Sequence, residues 1–103
     1  MRVESQKYRD FARGQDCTVR FPGVCNFNPE TTVLAHLPCG QKGTGMKGFD
    51  TVAVDACSAC HDVIDGRVAG VEIDWRDMLR AVAETQERRI DAGIITIKGM
   101  KAR

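Results

Sequence analysis

Five consecutive residues, Cys57-Ser58-Ala59-Cys60-His61, place two thiols and an imidazole within about one helical turn. That combination serves four chemistries: half of a zinc site, an attachment point for haem, a redox dithiol, or a metal-binding catalytic helix. Each needs different company elsewhere in the chain. Here the company is Cys17, Cys25 and a single upstream histidine, His36.

Tetrahedral zinc takes four soft donors that converge on one point. A Cys-x2-Cys pair at a turn entering a helix supplies one side of the metal. Cys17 and Cys25, which flank the Pro22-Gly23 turn, can supply the other from a hairpin of two short extended pieces. The expected structural zinc ligands are therefore Cys17, Cys25, Cys57 and Cys60. Such a site contributes on the order of 10 kcal/mol to folding. The fifth cysteine, Cys39, stands beside Gly40 and is expected to have no metal role. Four thiolates and one Zn²⁺ take the formal charge from +1 to −1, so affinity for a polyanion must come from local basic patches.

The rival readings fare less well. Covalent haem needs an oxidising compartment and leaves Cys17 and Cys25 without a purpose, so no haem is expected. A thioredoxin-like dithiol needs a βαβ setting and explains neither the second cysteine pair nor the adjoining His61. His61 and Asp65 form a His-x3-Asp pair on one helix face. One imidazole and one carboxylate so spaced suit Mg²⁺, Mn²⁺ or Zn²⁺.

The elements that must carry these groups can be read from periodicity and breakers. The stretch to about Arg13 is polar and reads as a short helix or an arm. The β-branched start of Thr31-Thr32-Val33-Leu34-Ala35-His36 predicts a strand ending at His36. Gly40, Gly43, Gly45 and Gly48 alternate with Lys42 and Lys47 in a flexible basic loop. A second strand is expected over Asp50-Thr51-Val52-Ala53-Val54, then a short helix from Cys57 to about Asp65, ended by Gly66. A longer helix, about 74–92, should begin after Asp74 as N-cap and stop before Gly93. Trp75, Met78, Leu79, Val82 and Ile90 supply its expected apolar stripe. Ile94-Ile95-Thr96-Ile97 reads as a last short strand.

The 103 residues read as one small α+β domain, with a core of 17–66 and an added C-terminal helix. No apolar run reaches the ~18 residues of a membrane span, and the N-terminus has no apolar signal region, so the expected compartment is the cytoplasm and no membrane partner is expected. In that compartment cysteines are more often ligands or free thiols than disulfides. A net charge of +1 makes no global case for nucleic acid. Its distribution does better: residues 49–75 hold Asp50, Asp55, Asp62, Asp65, Glu72 and Asp74 against Arg67 alone, between basic flanks. An acidic centre of this kind suits a cation site facing a polyanion.

A strand ending in histidine, a glycine-rich loop, a second strand and a Cys-x2-Cys-His helix resemble, in that order, the HNH (ββα-metal, or His-Me finger) endonuclease superfamily. More closely, Cys17 to Asp65 resembles the YbcO family of prophage-encoded nucleases. The likeness rests on the Cys-x-Val-Arg-x-Pro-Gly-Val-Cys-Asn opening, Asn-Pro-Glu-Thr, Leu-Ala-His, and Cys-Ser-Ala-Cys-His-Asp followed by Ile64-Asp65. The resemblance implies a small ββα-metal domain with a structural zinc and metal-dependent hydrolysis of DNA phosphodiesters. It implies His36 as general base, and His61 as ligand to a catalytic Mg²⁺ or Mn²⁺. It also implies Asp50 near the position of the residue that steadies the catalytic imidazole. One departure is visible: superfamily members often place a metal-ligating Asp or His directly before the catalytic histidine, and here that residue is Ala35.

On this reading Lys42 and Lys47 position backbone phosphates without reading sequence. A domain of this type nicks single strands, so a double-strand cut requires a homodimer or repeated action. A competing reading keeps the four cysteines and the basic flanks but no activity: a zinc-stabilised module that binds nucleic acid or protein. That reading has no use for His36.

Overall fold

The computed structural model describes residues 3–38 and 48–101; Cys39, Lys42 and Lys47 lie outside the described residues. Helix α1 (Gln6–Asp10) is followed by irregular chain, a 3-10 turn (Pro29–Thr31) and strand β1 (Val33–His36). Strand β2 (Ala53–Ala56), helix α2 (Ser58–Ile64) and helix α3 (Trp75–Asp91) complete the order. The α+β expectation holds at that level.

β1 and β2 pair antiparallel, with Val33 opposite Ala56 and His36 opposite Ala53. All four β2 residues are buried, while in β1 only Ala35 is buried, Val33 being exposed and Leu34 and His36 half-buried. β2 starts three residues later than its β-branched stretch suggests. Asp50 and Thr51 instead form a turn, closed by the Val52 amide donating to the Phe49 carbonyl at 3.0 Å. The edge of β2 away from β1 is satisfied by two threonines. Thr18 donates to the Asp55 carbonyl from its amide at 2.8 Å and its hydroxyl at 2.9 Å. The Asp55 amide donates to Thr85 Oγ1 at 3.0 Å. Capping in this way engages both backbone groups of Asp55 on that edge.

Helix α2 begins with Cys57 as N-cap, and helix α3 with Asp74, whose carboxylate accepts from the Arg76 amide. α3 ends at Gly93, whose φ of +76° suits the left-handed position after a helix. The Ile94 and Ile95 amides then donate back to the Arg89 carbonyl, so the expected strand over 94–97 is replaced by a wrap around the helix end. The expected stripe of α3 is also displaced. Trp75 and Leu79 are exposed, at 53% and 72%, and the buried face is Met78, Ala81, Thr85 and Arg89. Apolar type alone misplaced that face because half of what α3 buries is polar, matched to β2 rather than to a greasy surface.

The match centres on Asp55 and Arg89, both fully buried. The guanidinium donates to the two carboxylate oxygens at 2.8 and 2.9 Å, to the Tyr8 carbonyl at 3.0 Å and to the Thr85 carbonyl at 3.0 Å. It also lies 4.5 Å from the centre of the Tyr8 ring. One ion pair thus joins α1, β2 and α3. The apolar core collects Val19, Phe21, Ala35, Leu37, Val54, Val63 and Met78 around the cysteines. No helix among the described residues is long and apolar enough to cross a membrane.

Candidate active site and metal centre

The four expected cysteines come together. One sulfur from each of Cys17, Cys25, Cys57 and Cys60 lies within 4.8 Å of all the others. The Cys25 and Cys57 sulfurs are 3.8 Å apart. Zinc–sulfur bonds of about 2.3 Å at tetrahedral angles put neighbouring sulfurs about 3.8 Å apart, so the donor set can hold a metal ion such as zinc. The Cys17–Cys25 segment reaches this geometry without the expected hairpin. Its chain turns at Pro22–Val24 and forms no strand.

Backbone donors surround the sulfurs. The Arg20 amide points to Cys17 Sγ at 3.5 Å and the Cys60 amide to Cys57 Sγ at 3.4 Å. The Phe27 amide serves Cys25. Arg20 and Phe27 are the two non-glycine residues described with positive φ, +52° and +53°. That conformation disfavours an L side chain, and here it turns an N–H onto a thiol in each case.

Among the thiols alone, ionisation is divided unequally. Hydrogen bonding from Cys60, aided by the amides of Arg20, Cys57 and Val19, draws Cys17 down to about 4 against its burial. The same bond pushes its donor Cys60 upward, with burial adding to it. Burial, then the charge on Cys17, pushes Cys25 up to about 11. Like charges this close oppose full deprotonation, and a dication among them reverses that opposition.

His36 and Asp50 also meet. At the end of β1, His36 Nε2 lies 2.8 Å from Asp50 Oδ1, and Asp50 is 1% exposed. The second carboxylate oxygen accepts from the Ser5 amide at 2.6 Å and from Arg9 at 3.2 Å. Ser5 is the N-cap of α1, so the first helix of the chain holds the carboxylate that orients the imidazole. Composition and spacing did not flag Ser5 or Arg9. A serine before a short polar helix was the available clue, and it says nothing about a carboxylate some 45 residues away.

On α2, His61 Nε2 is 3.1 Å from Asp65 Oδ2, as a helical i, i+4 pair allows. Arg67 also reaches Asp65 at 3.1 Å and Asp62 at 3.2 Å. α2 packs on β1, the strand that ends in His36. Among the described residues, only the cysteines gather three or more candidate metal donors at one point. The broad acidic centre is divided by the fold: Asp50 and Asp55 are buried against arginines, leaving Asp62 and Asp65 at α2 and Glu72 and Asp74 exposed before α3.

A two-stranded sheet, a following helix and a four-cysteine cluster able to hold a metal define a small α+β protein with a candidate metal centre. The family described as "Putative nuclease YbcO" matches residues 6–98, and the chain belongs to that family. It is 49% identical over 90 residues to "Putative nuclease YbcO" of Escherichia coli (strain K12), covering 84% of this chain and 94% of the relative. The same figures hold for "Putative nuclease ybcO" of Enterobacteria phage 82. A solved "putative bacteriophage protein" from Escherichia coli str. K-12 substr. MG1655 is 43% identical with a TM-score of 0.64, over 84% of this chain and all of that one.

Proposed function

We propose that this chain is a metal-dependent DNA endonuclease of the HNH type, hydrolysing phosphodiester bonds, with zinc in the four-cysteine cluster. The family's description as a nuclease supports the general activity. The observation that carries the specific reading is the His36–Asp50 pair at 2.8 Å, with the carboxylate buried and its other oxygen held. A carboxylate so placed fixes the proton on Nε2 and leaves the Nδ1 lone pair as a base.

In this reading His36 takes a proton from the water that attacks phosphorus, and Asp50 stabilises the imidazolium that results. His61 and Asp65 would hold Mg²⁺ or Mn²⁺ through one nitrogen and one oxygen, as suits cations that retain part of their hydration. A cation held there would supply positive charge to the scissile phosphate. Arg67, now paired to Asp65, must release that oxygen for the cation to bind. Lys42 and Lys47 are assigned to backbone phosphates. The chain is read as a single domain over 1–103 that nicks one strand at a time.

A non-catalytic zinc-stabilised binding module is the second reading, favoured by the two-donor count at His61 and Asp65. Supercoiled plasmid with Mg²⁺ or Mn²⁺ separates the two. Nicking by the parent and its loss in His36→Ala supports the nuclease. No nicking with either metal, in protein that binds DNA and retains zinc, supports the module.

A further inference from the structure

Phe27 is 74% exposed at a φ of +53°. Its amide serves Cys25, which accounts for the backbone conformation and not for the ring. Glycine or asparagine would adopt that conformation at lower cost, and a phenyl group left in solvent gives little back to folding. Phe27 instead lines an open cleft of about 340 Å³, together with Arg20, Asp16 and Cys17. Arg20 donates to the Cys17 carbonyl at 3.3 Å and to Glu84 at 3.4 Å, which holds its guanidinium beside Cys17 in the cleft wall.

An aromatic face and a guanidinium across a cleft of this size suit a flat, neutral ring. The Asp16 carboxylate and the thiolates behind Cys17 oppose a phosphate in the same place. We infer that Phe27 and Arg20 form a stacking pocket for one unpaired nucleobase, so that the chain prefers single-stranded or locally opened DNA to closed duplex. This rests on the nuclease reading and narrows its substrate, because a base inside an intact duplex presents no free face.

The test uses the full chain carrying His36→Ala, zinc-loaded and without added Mg²⁺ or Mn²⁺, so that the probe survives. A short fluorescein-labelled single strand of mixed sequence, alone or annealed to its complement, reports binding by anisotropy. The single strand should bind more tightly. Phe27→Ala should weaken it roughly fivefold to a hundredfold, the range for loss of one base–aromatic stack, and leave duplex binding unchanged. Phe27→Trp, in a Trp75→Phe background, should retain affinity, and the single strand should quench the introduced indole. Equal binding by Phe27→Ala and the parent, or an unquenched indole, overturns the pocket and leaves the nuclease reading standing. If the parent binds neither strand, the nuclease reading falls and the pocket with it.

Discussion

The guanidinium of Arg89 grips the carboxylate of Asp55 through two hydrogen bonds, 2.8 and 2.9 Å long, with both side chains fully buried. Arg88 adds a third contact to the same carboxylate at 3.2 Å. Since Arg89 makes four hydrogen bonds within the core and is fully buried, removing one partner leaves a charge with no solvent to receive it. Asp55→Ala is expected to destabilise the fold by about 3–5 kcal/mol, read as a shift in the urea midpoint. Arg89→Met should cost less in the Asp55→Ala background than alone, and additive losses in that double-mutant cycle would refute direct coupling.

The cysteine cluster makes metal content an expected property of the purified chain. Near-stoichiometric zinc should be present without added metal. Cys57→Ser and Cys60→Ser should lose both the metal and cooperative unfolding. Cys39→Ser should retain zinc, because four other sulfurs already close on one point. Zinc-free protein with an unchanged melting transition would dispose of the clamp.

Acid should release that metal. Cys17 falls to about 4 and Cys25 rises to about 11, so in the metal-free cluster some thiols still carry protons between these values. Metal binding must expel those protons, and affinity therefore falls as pH is lowered through that range. Competition with a chromogenic chelator across pH should show this slope. A pH-independent affinity would mean that the thiols are not the ligands.

His36 and its supports should separate by role. His36→Ala should abolish nicking, with no rescue by added metal, since the missing part is a base. Asp50→Asn should lower kcat by about 10²–10⁴-fold, the range that general-base chemistry contributes. Arg9→Gln touches only the outer carboxylate oxygen and should reduce activity less than Asp50→Asn does. Equal losses for the last two would show that the α1 contact matters as much as the carboxylate.

His61 distinguishes the two proposed metals. His61→Ala leaves all four thiols in place, so the domain should remain folded with its zinc while activity falls by orders of magnitude. Excess Mn²⁺ should rescue it at most partly. DNA binding should persist and weaken with salt as counterions compete for the phosphates. Loss of zinc in this variant would place His61 in the cysteine cluster and remove the second metal.

Spacing along the chain was enough to choose the four thiols and to put His61 one turn from Asp65, because both depend on local geometry. Caps were legible for the same reason: Asp74 and Gly93 bound α3 by their own side-chain and backbone preferences. Strand limits were less so, since the turn at Asp50 depends on contacts made by the chain's first residues. The family resemblance points Asp50 at His36, whereas only tertiary structure decided that Asp55 would leave the acidic surface to bury Arg89. A charge enters a core when a partner meets it there, and a partner some 34 residues away has no periodicity to announce it. The exposure of Trp75 and Leu79 follows from the same cause. Once Thr85 and Arg89 were matched to β2, the face of α3 that turned inward was fixed by those polar bonds, and the apolar side chains off that face stayed in solvent.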